Sequence, residues 1–106
     1  MAIKHIDDAS FSSSISNGIS LVDFWASWCG PCQMFGPMFE SASEQIHDVN
    51  FLKFEIDEKN RMTPSKYGIR SIPSVLAFKN GELVAARTGV MDVHTIKEWV
   101  QELKGS

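Results

Sequence analysis

The run Ile19-Ser20-Leu21-Val22-Asp23-Phe24-Trp25-Ala26 is apolar at nearly every position, interrupted only by Ser20 and Asp23. A strand with one face in water alternates apolar and polar residues. A strand that is apolar at successive positions is buried on both faces, as happens inside a parallel sheet covered by helices. The residues C-terminal to this run agree with such a sheet. Met34, Met38, Phe39, Ala42 and Ile46 form a helical stripe between Gln33 and His47, with Pro37 inside it and expected to kink it. A second strand is expected over Val49–Ile56, around Phe51, Lys53 and Glu55. Strand, helix and strand in that order make a unit with parallel strands and a right-handed crossover.

The remaining chain adds smaller elements. Phe11, Ile15 and Ile19 recur every four residues within the serine-rich stretch Ser10–Ser20, which reads as a short amphipathic helix. Asp7 or Asp8 is expected to cap it, and Gly18 to weaken its end. Thr63-Pro64 reads as the cap and first position of a short helix that Gly68 stops. Ser74–Lys79 and Glu82–Thr88 are strand-like, and Asn80-Gly81 between them suits a two-residue hairpin turn. Val93, Ile96, Val100 and Leu103 form the stripe of a last helix, capped by Asp92 and ended by Gly105. The expectation is an α/β domain: a parallel unit first, an antiparallel hairpin second, helices over the sheet.

A chain of 106 residues has the length of one domain, so residues 1–106 are read as a single unit. Its net charge of -3, with lysines and arginines scattered singly, argues against a nucleic-acid or membrane-surface footprint. No apolar h-region opens the chain and no apolar run is long enough to span a bilayer, which makes the cytoplasm the expected compartment.

The chemistry is concentrated at Trp28-Cys29-Gly30-Pro31-Cys32, between the buried strand and the helix. Two intervening residues at a helix start bring two sulfurs within bonding reach. The unpaired N–H groups and dipole of a helix N-terminus stabilise a thiolate at Cys29, and the thiolate is the attacking species in disulfide exchange. Cys29 is thus the expected nucleophile, being N-terminal and more exposed. Cys32, one turn on and buried, is the expected resolving thiol. Pro31 has no N–H to lose in the first turn. Three other readings compete. Half a zinc site would need two further ligands, but His5, His47 and His94 stand apart and the chain has only 2 cysteines. A purely structural disulfide across so small a loop would add little. Inert buried thiols are the third reading.

A carboxylate at Asp23, inside a doubly buried strand, is costly without a partner or a purpose. Desolvation raises its pKa, which suits a general base that takes the Cys32 proton; Lys53 on the next strand would oppose that shift. The alternative is a hydrogen-bonded structural acid. Pro73 opens a strand, where proline is tolerated. Only about 5–6% of X-Pro bonds are cis, so the residues alone favour trans there. Gly89 suits a bulge or a close backbone approach. Of the paired tryptophans, Trp28 beside the nucleophile is the surface candidate and Trp25 the core one.

Taken together these residues closely resemble the thioredoxin family over nearly the whole chain. The resemblance rests on Val22-Asp23-Phe24-Trp25-Ala26, Trp28-Cys29-Gly30-Pro31-Cys32, Lys53 with Asp57, Lys66-Tyr67-Gly68-Ile69-Arg70, Ile72-Pro73 and Phe78-Lys79-Asn80-Gly81-Glu82. It implies a thioredoxin fold, with a central five-stranded mixed sheet flanked by four helices, and a cis Pro73 beside the cysteines. It implies that Asp23 lies beneath Cys32 with Lys53 near it. It implies a docking surface of Trp28, Gly30, Pro31, Ile72, Pro73, Gly89 and Val90, where the Ile72 backbone pairs with an extended substrate. The implied activity is that of a monomeric protein-disulfide reductase, an oxidoreductase carrying electrons in cell redox homeostasis. Its partners would be disulfide-containing proteins and a thioredoxin reductase drawing on NADPH. No bound cofactor or metal is expected, only the redox-active Cys29–Cys32 disulfide. Gln33, Ser71, Ser74 and Thr88 depart from the commonest family pattern, which has lysine, glycine, threonine and an apolar residue there. They leave the chemistry intact and bear on partner preference. A disulfide oxidase or isomerase on the same fold, and a non-catalytic subunit binding through the same surface, are the alternative functions.

Overall fold

The computed structural model describes residues 2–106. The elements are β1 (Ile3–Ile6), α1 (Phe11–Ser14), β2 (Ile19–Trp25), α2 (Gly30–Gln45), β3 (Val49–Glu55), α3 (Met62–Lys66), β4 (Ser74–Lys79), β5 (Glu82–Thr88) and α4 (Val93–Gly105). The five strands form one mixed sheet in the order β1-β3-β2-β4-β5. β1 and β2 run parallel to β3, while β4 is antiparallel to both β2 and β5. The α/β architecture expected from the sequence, with five strands and four helices, is borne out.

β2 is central, and alternation along it sorts the core into two layers. Leu21 faces α2 and α4, joining Phe35, Phe39, Phe51, Ile96 and Trp99. Val22 and Phe24 face the opposite side, with Phe11, Leu52, Phe54 and Phe78. Both clusters are rich in rings at edge or tilted contact. Phe39 and Phe51 lie 5.1 Å apart between centroids, and Phe24 and Phe54 also 5.1 Å.

The Asn80-Gly81 turn forms as its residues require, with φ of 50° and 87°. Asn80 also ties the hairpin to the start of β2: its amide donates to the Gly18 carbonyl, and its Oδ1 accepts from the Gly18 N–H at 2.8 Å. α4 starts where expected, with the Asp92 carboxylate accepting from the Thr95 N–H at 2.8 Å.

Four local readings are corrected. α1 is a single turn, and Ile19 belongs to β2. Asp7 braces the turn before α1 by accepting from the Ser10 N–H and hydroxyl. Asp8 instead caps a helix far away in sequence, accepting from the N–H groups of Met62 and Thr63. With that acceptor supplied, α3 begins at Met62, and Thr63 and Pro64 lie inside its first turn. The remaining correction is β1, which the residue pattern did not reveal. Pro37 sits within α2, where it removes the N–H that would donate to the Gln33 carbonyl, and the helix continues through it to Gln45.

Candidate active site

β2 ends at Trp25, and a short turn delivers Cys29 to the N-cap position of α2. Cys29 is extended there, and its Sγ accepts from the Cys32 backbone N–H at 3.2 Å. Sulfur thus takes the place that a serine or aspartate oxygen fills at an ordinary N-cap. Gly30 and Pro31 occupy the first turn. Cys29 and Cys32 are joined as a disulfide with Cα atoms 5.3 Å apart, inside the usual range for such a bond. On reduction, a Cys29 thiolate at this position would keep the Cys32 N–H and gain the positive end of the α2 dipole.

The two cysteines are equally buried, each 5% exposed. The expectation that Cys29 is the more exposed is therefore corrected. The two cysteines form a buried cluster with Ala26, and Trp25 and Ile72 pack against it. What separates them is direction. The Cys29 Sγ lies 3.7 Å from the Ile72 carbonyl oxygen, beside Trp28, which is 78% exposed. Cys32 instead lines a cleft of about 270 Å³ with Trp25, Gln33, Gly36, Pro37, Glu40 and Lys53.

Around Cys29 the residues expected to form a docking surface divide by depth. Trp28, Gly30, Pro31, Gly89 and Val90 are exposed, Ile72 is half-buried and Pro73 is buried. The Ile72-Pro73 peptide is cis. The Pro73 carbonyl accepts from the Gly89 N–H at 2.8 Å, and Gly89 has φ of 91°, a left-handed conformation that favours glycine. This bond joins the loop before β4 to the end of β5.

Asp23 and Lys53 are register partners on β2 and β3. They occupy alternate positions from Leu21 and Phe51, so both lie on the face that α2 covers. Asp23 is 1% exposed and its Oδ1 has no hydrogen-bond partner in the protein. Burial raises its pKa to about 7, and the nearby Lys53 charge offsets only part of that shift. The Lys53 ammonium lies 5.0 Å from the centroid of the Trp25 ring. Trp25 is half-buried, which makes it a wall of this site as well as a core residue. Among the described residues, no group of three or more His, Cys, Asp or Glu is placed to hold a metal ion. Nor is any described helix long and apolar enough to cross a membrane.

Sequence reasoning did not single out Gly36 or Glu40, and it placed Met34 in the apolar stripe of the helix, which its exposure corrects. Gly36 and Glu40 share the cleft wall with Cys32, Gly36 four residues on from it and Glu40 four residues further. Glycine inside a helical stripe was the available signal for Gly36. Met34 is 64% exposed on the first turns of α2.

A family model described as Thioredoxin matches residues 2–102. Curated relatives named Thioredoxin align over almost the whole chain. The protein from Rickettsia prowazekii is 41% identical over 103 residues, covering 94% of this chain and 97% of the relative. That from Bacillus subtilis is 41% identical, covering 96% and 98%. That from Rickettsia bellii is 44% identical over 100 residues, covering 92% and 94%.

Proposed function

The chain belongs to the thioredoxin family, and from that premise we propose that it is a cytoplasmic protein-disulfide reductase whose dithiol is restored by a thioredoxin reductase using NADPH. Protein-disulfide oxidoreductase chemistry by dithiol–disulfide exchange follows from the family and from the Cys29–Cys32 disulfide. The proposal adds the direction of electron flow, the partners and the part each residue plays. Residues 1–106 act as one domain and as a monomer.

The Cys29 thiolate attacks one sulfur of a target disulfide. A Cys29–target bond forms as the target bond breaks, and the departing target thiolate takes a proton from water. Cys32 then gives its proton to Asp23 and attacks the Cys29 sulfur. The Cys29–Cys32 bond forms, and the second target thiolate leaves and is protonated. Two electrons have passed from the dithiol to the target. Lys53 holds the charge on Asp23 once the proton has moved on. Trp28, Gly30, Pro31, Ile72, Pro73, Gly89 and Val90 receive the target, whose extended backbone pairs with that of Ile72. The observation that carries the reading is the position of Cys29, whose Sγ sits at the α2 N-cap and accepts from the Cys32 N–H. Among the described residues no donor is aimed in this way at Cys32 itself, which supports unequal roles.

The test is a coupled assay with insulin, a thioredoxin reductase and NADPH, together with a redox titration of the dithiol. Catalytic NADPH consumption and a potential near the cytosolic glutathione poise are expected. A strongly oxidising potential with no turnover would make the protein an oxidase instead.

A further inference from the structure

We infer that Gly36 is a positioning residue, whose missing side chain keeps open the solvent cleft that links Lys53 and Asp23 to bulk water. The inference rests on the reading of Asp23 as the base for Cys32, and it addresses where that proton goes next.

Asp23 is 1% exposed, so a proton it accepts has no direct exit. Its register partner Lys53 lines the cleft of about 270 Å³, and so does Cys32. The middle of α2 also lines it, where Gly36 and Pro37 stand side by side. Apart from each other, no two residues are poorer helix formers, and both are spent here in one 16-residue helix. Crowding does not explain the glycine. A Cβ at Gly36, which is buried, would meet only the Lys53 ammonium within 4 Å, at 3.6 Å, an ordinary contact distance. An alanine would fit and would favour the helix. What it would occupy is the space beside the Lys53 charge. The indole Nε1 of Trp25, which forms part of the cleft wall, and the Oδ1 of Asp23 are both buried without a protein partner, so each needs water.

The charged and titratable surroundings of Asp23 are few. Lys53 faces it from β3, with His5 of β1 one strand further along the same row. β4 offers the apolar Val75. Arg87 of β5 lies beyond that, engaged with Glu102 and Trp99 of α4. From α2 come Cys32 and Glu40 on the cleft wall. In the resolving step the Cys32 proton passes to the Asp23 carboxylate as the Cys29–Cys32 bond forms. It then leaves to water in the cleft, restoring the carboxylate. A methyl group at position 36 would displace that water from beside Lys53, and the loss of hydration disfavours the Asp23 carboxylate.

The experiment follows the carboxyl carbon of Asp23 by NMR through a pH titration of the oxidised protein, wild type against Gly36→Ala. The expected result is a midpoint raised by about half a unit or more, roughly threefold in proton affinity. The variant should also melt at a higher temperature and resolve mixed disulfides about threefold more slowly at neutral pH, recovering at alkaline pH. A higher melting temperature with an unmoved or lowered midpoint would overturn the inference, leaving Gly36 as a weak helix position only. If instead the midpoint rises while Asp23→Asn resolves at the wild-type rate, the cleft is the solvent route and the assignment of Asp23 as the base fails.

Discussion

Asp23 and Lys53 stand opposite each other on parallel neighbours β2 and β3, on the face covered by α2, and only Lys53 reaches the cleft that Cys32 lines. The pair is unequal. Burial dominates at Asp23 and lifts its pKa to about 7, while the lysine charge offsets part of the rise. A carboxyl poised near neutrality can both accept and release a proton under working conditions.

The same shift makes stability depend on pH. The carboxyl titrates at about 7 in the fold, against 3.8 for an unperturbed aspartate. The folded state therefore holds a proton that the unfolded chain has lost between those values. The stabilisation is complete below the lower value and is lost as pH rises through the upper one. Asp23→Asn should leave stability nearly unchanged at acid pH and raise it at pH 8, by on the order of 2–4 kcal/mol. Urea unfolding of both proteins at the two pH values measures this; a gain that does not grow with pH would contradict the burial account.

Asp23→Asn removes the proposed general base and should at the same time slow resolution of a mixed disulfide at neutral pH by about tenfold or more. Stopped-flow release of a labelled thiol target reports the step. An unchanged rate would make Asp23 a structural acid.

Trp28 is exposed beside the buried Cys29, so it is placed to touch a target rather than to hold the fold. Trp28→Ala should raise KM for insulin by roughly five- to thirtyfold, equivalent to about 1–2 kcal/mol. Turnover of hydroxyethyl disulfide, too small to use the surface, should change little. Equal losses with both substrates would mean that Trp28 acts on the sulfurs and not on docking.

Phe39 is fully buried and packs against Phe35 and Phe51, anchoring α2 to the sheet. Phe39→Ala should cost about 3–5 kcal/mol in urea unfolding. A loss below about 1 kcal/mol would mean that the helix is held by something else.

How far the sequence disclosed this arrangement depends on how local each cause is. β2 was legible because eight adjacent residues carry one pattern, and Asp23 because it breaks that pattern. The Asn80-Gly81 turn and the Asp92 cap were legible because their chemistry is contained in two to four residues. β1 was not: Ile3–Ile6 is a four-residue edge strand with two exposed residues at its centre, too short to show a period. Nor was the partner of Asp8, because a carboxylate that caps α3 from more than fifty residues away looks like any acid near a nearby helix start. The equal burial of Cys29 and Cys32 goes with a cluster against which Trp25 and Ile72 pack, a contact between separate segments. The cis bond at Pro73 came from the family resemblance and not from the residues, whose base rate pointed the other way. Gly36 needed the position of Lys53 before its lack of a side chain meant anything.

The central claim is that Cys29 attacks and Cys32 resolves, and capture of a target tests it most directly. Reduced Cys32→Ser and Cys29→Ser proteins are each mixed with a disulfide-bonded protein, and the products are weighed by mass spectrometry. The account predicts a stable mixed disulfide through Cys29 in the Cys32→Ser protein and almost none in the Cys29→Ser protein. The reverse pattern, with capture through Cys32, would contradict it.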